Sequence, residues 1–379
     1  MNPTKRSGYV MKKQNMWMIV SFFLLSVFLN PETIIKGIPL SRVFLIAAGG
    51  DIFVDNDLNS IACYSADGKF KFKFGQAGEG PGDIKRMGWF AINPVDHNIY
   101  VTEFLEGNKW ISVFSAEGKN ISTPKMNLNW DECHGLSFIQ FDSQGNMYVQ
   151  SHKSIYRPYK DFSIGKCVNR LLKLSPGGQS IKDIYKMEQD LSADKGGKGN
   201  ITIPFFNYLY WTLYEDRLIV RESINDYFSL FDQEGNLIKK YPMPFKREKV
   251  TGKDIDDWEA WMKTTPLVKQ GTAEGWFDLK YWRKRLPFPG YKPVCGGKIH
   301  ADSSGNIYNM SYESKGNDKW ARINLRDGKT SIIDFKENYF LITIRNGYFY
   351  FKHAISEDEY VIVKMPEKEA NEKIISVIK

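Results

Sequence analysis

Apolar and polar residues alternate with a period of two along most of the chain, in short runs broken by Gly, Asn and Asp. Phe70, Phe72 and Phe74 fall on one side of such a run and lysines on the other, the pattern of a half-buried strand. A glycine-rich turn, Gly75 to Gly82, follows, and Pro81 with its flanking glycines predicts a sharp reversal there. Two more strands, Trp89–Ile92 and Ile99–Phe104, flank a polar turn at Asn93–Asn98.

This unit recurs. A polar residue and an apolar or aromatic pair open a strand at Asp51-Ile52-Phe53, Asn98-Ile99-Tyr100, Asn146-Met147-Tyr148, Arg217-Leu218-Ile219, Asn306-Ile307-Tyr308 and Gly347-Tyr348-Phe349. A glycine turn follows the next strand at Asp67-Gly68, Glu117-Gly118, Gly177-Gly178, Glu234-Gly235 and Asp327-Gly328. The sixth copy has Glu367-Lys368-Glu369 in that place. Copy one predicts strands at Arg42–Ala48, Asp51–Asp55, Ser60–Ser65 and Lys69–Phe74; copy six predicts Tyr339–Ile344, Tyr348–His353, Glu359–Met365 and Lys373–Ile378. Four strands per copy and six copies predict an all-β, six-bladed β-propeller of four-stranded antiparallel blades. Both ends are in phase, so closure is expected to rest mainly on side-chain packing between blades one and six; an edge strand from Ile34–Leu40 is left open by the sequence. Residues 31–379 read as a single propeller domain.

Strands in a blade alternate in direction, so the a–b and c–d turns share one face and the b–c and d–a connections the other. The enlarged connections, Ser151–Val168, Lys186–Pro204 and Pro242–Val294, all fall on the second face, as does Gly75–Gly82. Loops on a rigid scaffold are where binding groups concentrate. The insertion 242–294, between blades four and five, breaks the period of two. Ile255, Trp258, Trp261 and Met262 stand at helical spacing, and Gly275–Arg285 predicts a second short helix. Two readings follow: a helical cap packing its aromatics over the propeller, or a lid that turns Trp276, Tyr281, Trp282, Arg283 and Arg285 towards a ligand. Aromatic faces beside cations suit sugars, anionic polymers and peptides.

The formal net charge is +8. The excess sits in two places, the first thirty residues and the stretch 239–298, and the remainder is net acidic. A nucleic-acid binder carries a basic stripe across its fold, and this distribution argues against one. Lys12 and Lys13 precede an uncharged run, Met16–Leu29. That run is short for a bilayer span and fits a signal-peptide core. Residues 1–30 are therefore expected to be a signal peptide or N-terminal anchor, and the protein extracytoplasmic, touching membrane only through 16–29 if uncleaved. Cys63, Cys133, Cys167 and Cys295 form no CxxC pair, so a zinc ribbon or redox motif is not indicated.

Trp130-Asp131-Glu132-Cys133-His134 is expected at the start of the innermost strand of blade three. Asp131, Glu132 and His134 are its candidate ligand-binding groups. His300 lies closer to its turn glycine than His134 does, so the two are expected near opposite mouths of the channel. No HExxH, phosphate loop or nucleophile elbow occurs. Asp142–Asn146 and Asp302–Asn306 lack a following acidic ligand for calcium and read as strand-joining turns. No cofactor is indicated.

The turn Gly78-Glu79-Gly80-Pro81-Gly82-Asp83 leading into WFAINPVDHNIYVTEF resembles the NHL-type repeat. It is more similar to a bacterial six-bladed propeller group with one GxGPGE-like turn after its first blade; Asp83 stands where Glu is usual. The resemblance continues at Tyr227–Tyr241 and Pro293–Tyr308. It implies a TolB-like propeller, commonly exported, and no particular reaction. The expected function is binding of a peptide, glycan or protein partner at the loop-rich face. The alternative is a metal-dependent hydrolase or lyase, similar to lactonases or peptidylglycine lyases, with calcium or zinc at the channel mouth.

Overall fold

The structure, a computed structural model, describes residues 32–36, 46–48, 50–55, 57–103, 110–129, 133, 135–159, 162–195, 200–312, 319–336, 339–354 and 360–378. The proposed leader, residues 1–30, lies outside them. Strand β1 (Glu32–Lys36) comes first. Sheet one contains β2 (Ile46–Ala48), β3 (Asp51–Asp55), β4 (Ile61–Tyr64) and β5 (Phe70–Phe74). Sheet two contains β6 (Met87–Ile92), β7 (Ile99–Glu103), β8 (Ile111–Phe114) and β9 (Asn120–Ser122). Sheet three has five strands: β10 (Gly135–Phe141), β11 (Met147–Tyr159), β12 (Phe162–Leu174), β13 (Ser180–Asp194) and β14 (Asn200–Thr202). Sheet four contains β15 (Leu209–Tyr214), β16 (Arg217–Glu222), β17 (Tyr227–Phe231) and β18 (Leu237–Pro242). Sheet five begins with β19 (Cys295–Ala301), β20 (Asn306–Ser311), β21 (Lys319–Asn324) and β22 (Thr330–Phe335); sheet six begins with β23 (Tyr339–Arg345), β24 (Tyr348–Ala354) and β25 (Tyr360–Pro366).

The first strand of each sheet touches the first strand of the next, and the series returns from β23 to β2. The cores lie between neighbouring sheets. Phe53, Cys63 and Phe74 of sheet one pack on Phe90, Val101 and Phe114 of sheet two. The last such core joins Tyr350 and Ile362 of sheet six to Ile52 and Val54 of sheet one. This closed ring of packed sheets is a β-propeller.

Ring closure differs from the expectation. The chain after β25 does not turn back to finish sheet six. The sixth copy lacks the glycine that takes a left-handed φ in the other copies, for example 79° at Gly68 and 81° at Gly118. A helix, α4 (Glu367–Lys373), forms there instead; helices α1–α3 belong to the insertion described below. It carries the chain to β26 (Ile375–Ile378), which pairs with β22 as the fifth strand of sheet five. The vacated outer place in sheet six is filled by β1, antiparallel to β25, with Glu32 opposite Lys364 and Lys36 opposite Val361. Closure therefore rests on backbone hydrogen bonds as well as on packing, and Ile35 is buried in the seam.

The Asp-x-x-Gly-Asn turns are explained by their own bonds. The Asp302 carboxylate accepts from the Ser304 and Asn306 amides at 3.0 and 2.8 Å, from Asn306 Nδ2 at 2.8 Å and from the Tyr308 hydroxyl at 2.9 Å. Asp142 does the same for Gln144 and Asn146. Asp83 organises the glycine-rich turn in the same way, accepting from the Gly80 amide at 2.7 Å and from Gln76 Nε2 at 2.9 Å. These carboxylates are occupied as turn staples.

Two connections expected as loops are sheet. The b–c excursion of sheet three is a continuous hairpin paired from Met147 opposite Leu174 to Tyr159 opposite Phe162. Strand β13 follows it to Asp194, and β14 adds a fifth strand. Thirteen-residue strands run about 43 Å at ~3.3 Å per residue, so sheet three rises as a tower above the ring. The insertion leans on this tower. It forms α1 (Gly252–Met262), α2 (Pro266–Ala273) and α3 (Leu279–Arg285). Thr251 and Asp254 form a capping box on α1, and the Asp278 side chain caps α3. One core joins Phe162, Ile164, Ala193 and Ile201 of the tower to Trp258, Phe277 and Trp282 of the helices. Trp282 is wholly buried there, its ring edge-on to Phe162 at 5.5 Å. Replacing it (Trp282→Ala) is expected to cost about 3–5 kcal/mol by leaving a cavity. Limited proteolysis should then cut within 252–286 while the ring strands stay protected.

Candidate functional site

Each candidate residue from the sequence has a definite place or none. Asp131, Glu132 and His134 lie outside the described residues. Their neighbours Asn129 and Cys133 line a cavity of about 180 Å³ with Leu128, Arg170 and Asp183. Arg170 and Asp183 form an ion pair on β12 and β13. The cavity thus lies between strands β12 and β13 of sheet three and the segment that leads in from sheet two. Trp282 supports the tower core, and Tyr281 stands edge-on to it at 5.1 Å. Lys195 and Arg285 each lie 4.1 Å from the Tyr281 centroid. Arg283 is paired with Asp256 and Glu259 of α1. The Trp276 indole donates to Glu274 at 2.7 Å. The two helices are thereby locked to each other and to the tower.

The structure instead brings an aromatic rim to the loop-rich mouth, where sheets four and five meet. Phe206, Tyr208 and Tyr210 form a ladder with centroid spacings of 4.0 and 5.7 Å. Tyr208 is 41% exposed, and Tyr312, across the joint, is 40% exposed. The segment bearing Tyr208 is held from below. The Tyr208 amide donates to Ser223 Oγ at 2.8 Å, and Asn207 Nδ2 donates to Glu222 Oε2 at 2.7 Å. The Tyr185 hydroxyl takes the other Glu222 oxygen at 2.6 Å. Phe205, next to this ladder, takes a left-handed φ of 56°, a strained conformation that the surrounding bonds maintain. Burial pushes the Tyr208 phenol up to about 12, with Tyr210 and Tyr312 adding to the effect, so the rim presents neutral hydroxyls.

The rim leads into the channel. The Arg221 guanidinium lies 5.5 Å from the Tyr210 centroid. Arg221 is buried and bonds the Asn309 side chain and, at 2.9 Å, the Cys295 carbonyl. Burial pulls its pKa below the usual arginine range. Beyond Gly297, the Lys298 ammonium sits 4.3 Å over the Trp89 ring. Trp89 in turn meets Phe138 at 4.5 Å. Lys298 belongs to sheet five and Trp89 to sheet two, which are not neighbours in the ring. The lysine side chain therefore spans the lumen. A register irregularity at Met87/Trp89, Leu136/Ile139 and Gly296/Ile299 accompanies these inner-strand positions, where a bulge redirects a side chain.

All four cysteines are free and buried, and burial pushes the Cys63 thiol up to about 11, so they act as core groups. His97 takes φ 59° in an exposed turn. Among the described residues no three His, Cys, Asp or Glu side chains converge as a metal site. No helix among them is long and apolar enough to cross a membrane.

A family model described as "6-bladed beta-propeller" matches residues 38–201. The fold is similar to that of a Bacteroides fragilis protein assigned as exported, with 10% identity, a TM-score of 0.50, and coverage of 92% of this chain and 93% of that one. A member of the duf4221 family from Bacteroides vulgatus aligns at 11% identity and TM-score 0.47 over 93% of this chain and 95% of its own. A search of curated proteins found no match. At such identities the likeness speaks to fold alone.

Proposed function

We propose that this chain is an exported six-bladed propeller of the NHL- and TolB-like kind that binds a ligand or partner at its loop-rich face. The observation that carries the reading is the aromatic rim. Tyr208 and Tyr312 are exposed at the mouth, yet the Tyr208 segment is fixed by Glu222, Ser223 and Asn207. Preordered aromatic surface loses little entropy on binding, and stacked rings with polar tips suit a saccharide or peptide face. The tower and its helices stand on the same face and wall one side of the mouth.

The test is titration calorimetry of the full chain against panels of soluble oligosaccharides and peptides. A binder found in either panel is expected to lose about tenfold or more in affinity in the double variant Tyr208→Ala/Tyr312→Ala, equivalent to ~1.4 kcal/mol. Unchanged affinity in that variant, with its melting midpoint retained, would remove the rim from the binding surface.

A further inference from the structure

Each sheet ends at the perimeter of the ring in an edge strand, and the outer side of such a strand is a template for another. Among the described residues, the edges of five sheets carry features that blunt such pairing. Strand β5 has Lys71 and Lys73, β18 has Lys239 and Lys240, and β1 has Glu32 and Lys36. Strands β9 and β14 are three residues long, with Pro124 and Pro204 two residues beyond them, and proline does not continue a ladder. Beside the short β14, the edge of sheet three is β13, with Lys182, Asp183, Lys186 and Glu188.

Sheet five differs. Its edge strand, β26, reads Ile-Ser-Val-Ile, without charge or proline; Lys379, next in sequence, lies outside the described residues. Val377 is 55% exposed and Ile378 37%. The inner side of β26 is paired with β22 from Ile375 opposite Phe335 to Ile378 opposite Ile332. Helix α4, which leads into it, is anchored: Ala370 and Ile374 are buried in one core with Ile375, and Glu367 accepts from the Ser303 amide and hydroxyl at 3.1 and 2.7 Å. The edge is thus held in place before any strand meets it, which lowers the ordering cost of pairing.

Charge and symmetry select the occupant. Two copies meeting at β5 or β18 would set lysines against lysines, whereas at β26 no described charge faces another. A two-fold axis normal to the sheet keeps the two faces of the strands matched, so opposed residues must share a face. That allows Ser376 opposite Ser376 with Ile375 opposite Val377, or Val377 opposite Val377 with Ser376 opposite Ile378. Both frames join methyl groups and hydroxyls. We propose that β26 pairs antiparallel with β26 of a second copy of this chain, joining two copies of sheet five edge to edge across a two-fold axis. Such short strands bury less than the ~1,200 Å² of a stable interface, so the dimer is weak, with a Kd on the order of 0.1 mM. The contact lies on the perimeter and is independent of the aromatic rim at the mouth.

The experiment is sedimentation of the full chain from roughly 5 to 500 μM, a range that brackets such a Kd. The mean mass is expected to rise from that of one chain towards that of two. Val377→Lys, which sets an ammonium into the contact, is expected to weaken association about tenfold or more with the melting midpoint retained. A second measurement does not depend on that variant. The four natural cysteines are buried, and opposed Cβ atoms in an antiparallel pair are about 5 Å apart. Under mild oxidation Ser376→Cys or Val377→Cys, according to the frame, is therefore expected to give a disulfide-linked dimer. Phe70→Cys, at a position 61% exposed on the lysine-bearing edge β5, is the control and should stay monomeric. A single mass across the whole range, association unchanged by Val377→Lys, or cross-linking no stronger at 376 and 377 than at 70 overturns the proposal. Tyr208→Ala/Tyr312→Ala should leave association unchanged, so rim and edge are read separately.

Discussion

A chain that begins after Lys36 is expected to lose on the order of 5 kcal/mol of stability, although it removes only one short strand from the described fold. Ile35 is 2% exposed, and its burial is worth about 2–3 kcal/mol. The backbone bonds that β1 makes to β25 add about 1 kcal/mol each in net terms. Against a global stability of roughly 5–15 kcal/mol for a domain, that loss moves the urea midpoint strongly. The effect should also be local. Amides of Val361–Lys364, paired with β1, are expected to lose hydrogen-exchange protection before those of sheets three and four. Ile35→Ala isolates the side-chain share, about 2–4 kcal/mol. A truncated chain that unfolds within about 1 kcal/mol of the full one would show that β1 is dispensable and that closure is carried by side chains alone.

The signal for this seam was partly present in the sequence. The sixth copy lacked its turn glycine, and five sister glycines at that place adopt left-handed φ. Without it the c–d hairpin does not form, and the chain must leave the sheet. The missing residue thus says where the fourth strand is not. It does not say which segment replaces it, because β1 is a five-residue strand whose partner lies more than three hundred residues away. Alternation is local information and pairing is not. The same distinction explains sheet three. The apolar residues of 151–168 alternate well enough for strands, but their burial depends on helices inserted a hundred residues later.

The candidate site shows the limit more sharply. Trp282 was a natural choice for a lid, since an aromatic beside three basic residues suits a ligand. In the structure its neighbours Phe162 and Ile164 come from the tower, and it is their contact that buries it. Lys298 drew no notice because a lone lysine in a strand signals nothing by itself, even two residues from His300. Its meaning comes from facing Trp89 across the ring, a relation that only closure creates.

His300 should make the protein acid-labile in a defined window. It is 7% exposed, with Trp320 6.0 Å away. Burial, then Lys298 and Arg345, lower its pKa from the ordinary 6.5 to about 3. Above pH ~6.5 the imidazole is neutral in both the folded and unfolded chain, and its contribution is constant. As the pH falls through 6.5 the unfolded chain takes up a proton that the folded chain refuses. Stability then declines by about 1.4 kcal/mol per pH unit until the folded imidazole titrates near 3, a total on the order of 5 kcal/mol. Carboxylates whose folded pKa is lowered, such as Asp83 and Asp232, contribute mainly at the lower end of this range. The comparison of wild type with His300→Gln therefore isolates the histidine. Between pH 6 and 4.5 the variant is expected to show a slope flatter by about 1.4 kcal/mol per unit in urea unfolding. Parallel slopes in the two proteins would mean that the imidazole is protonated in the fold.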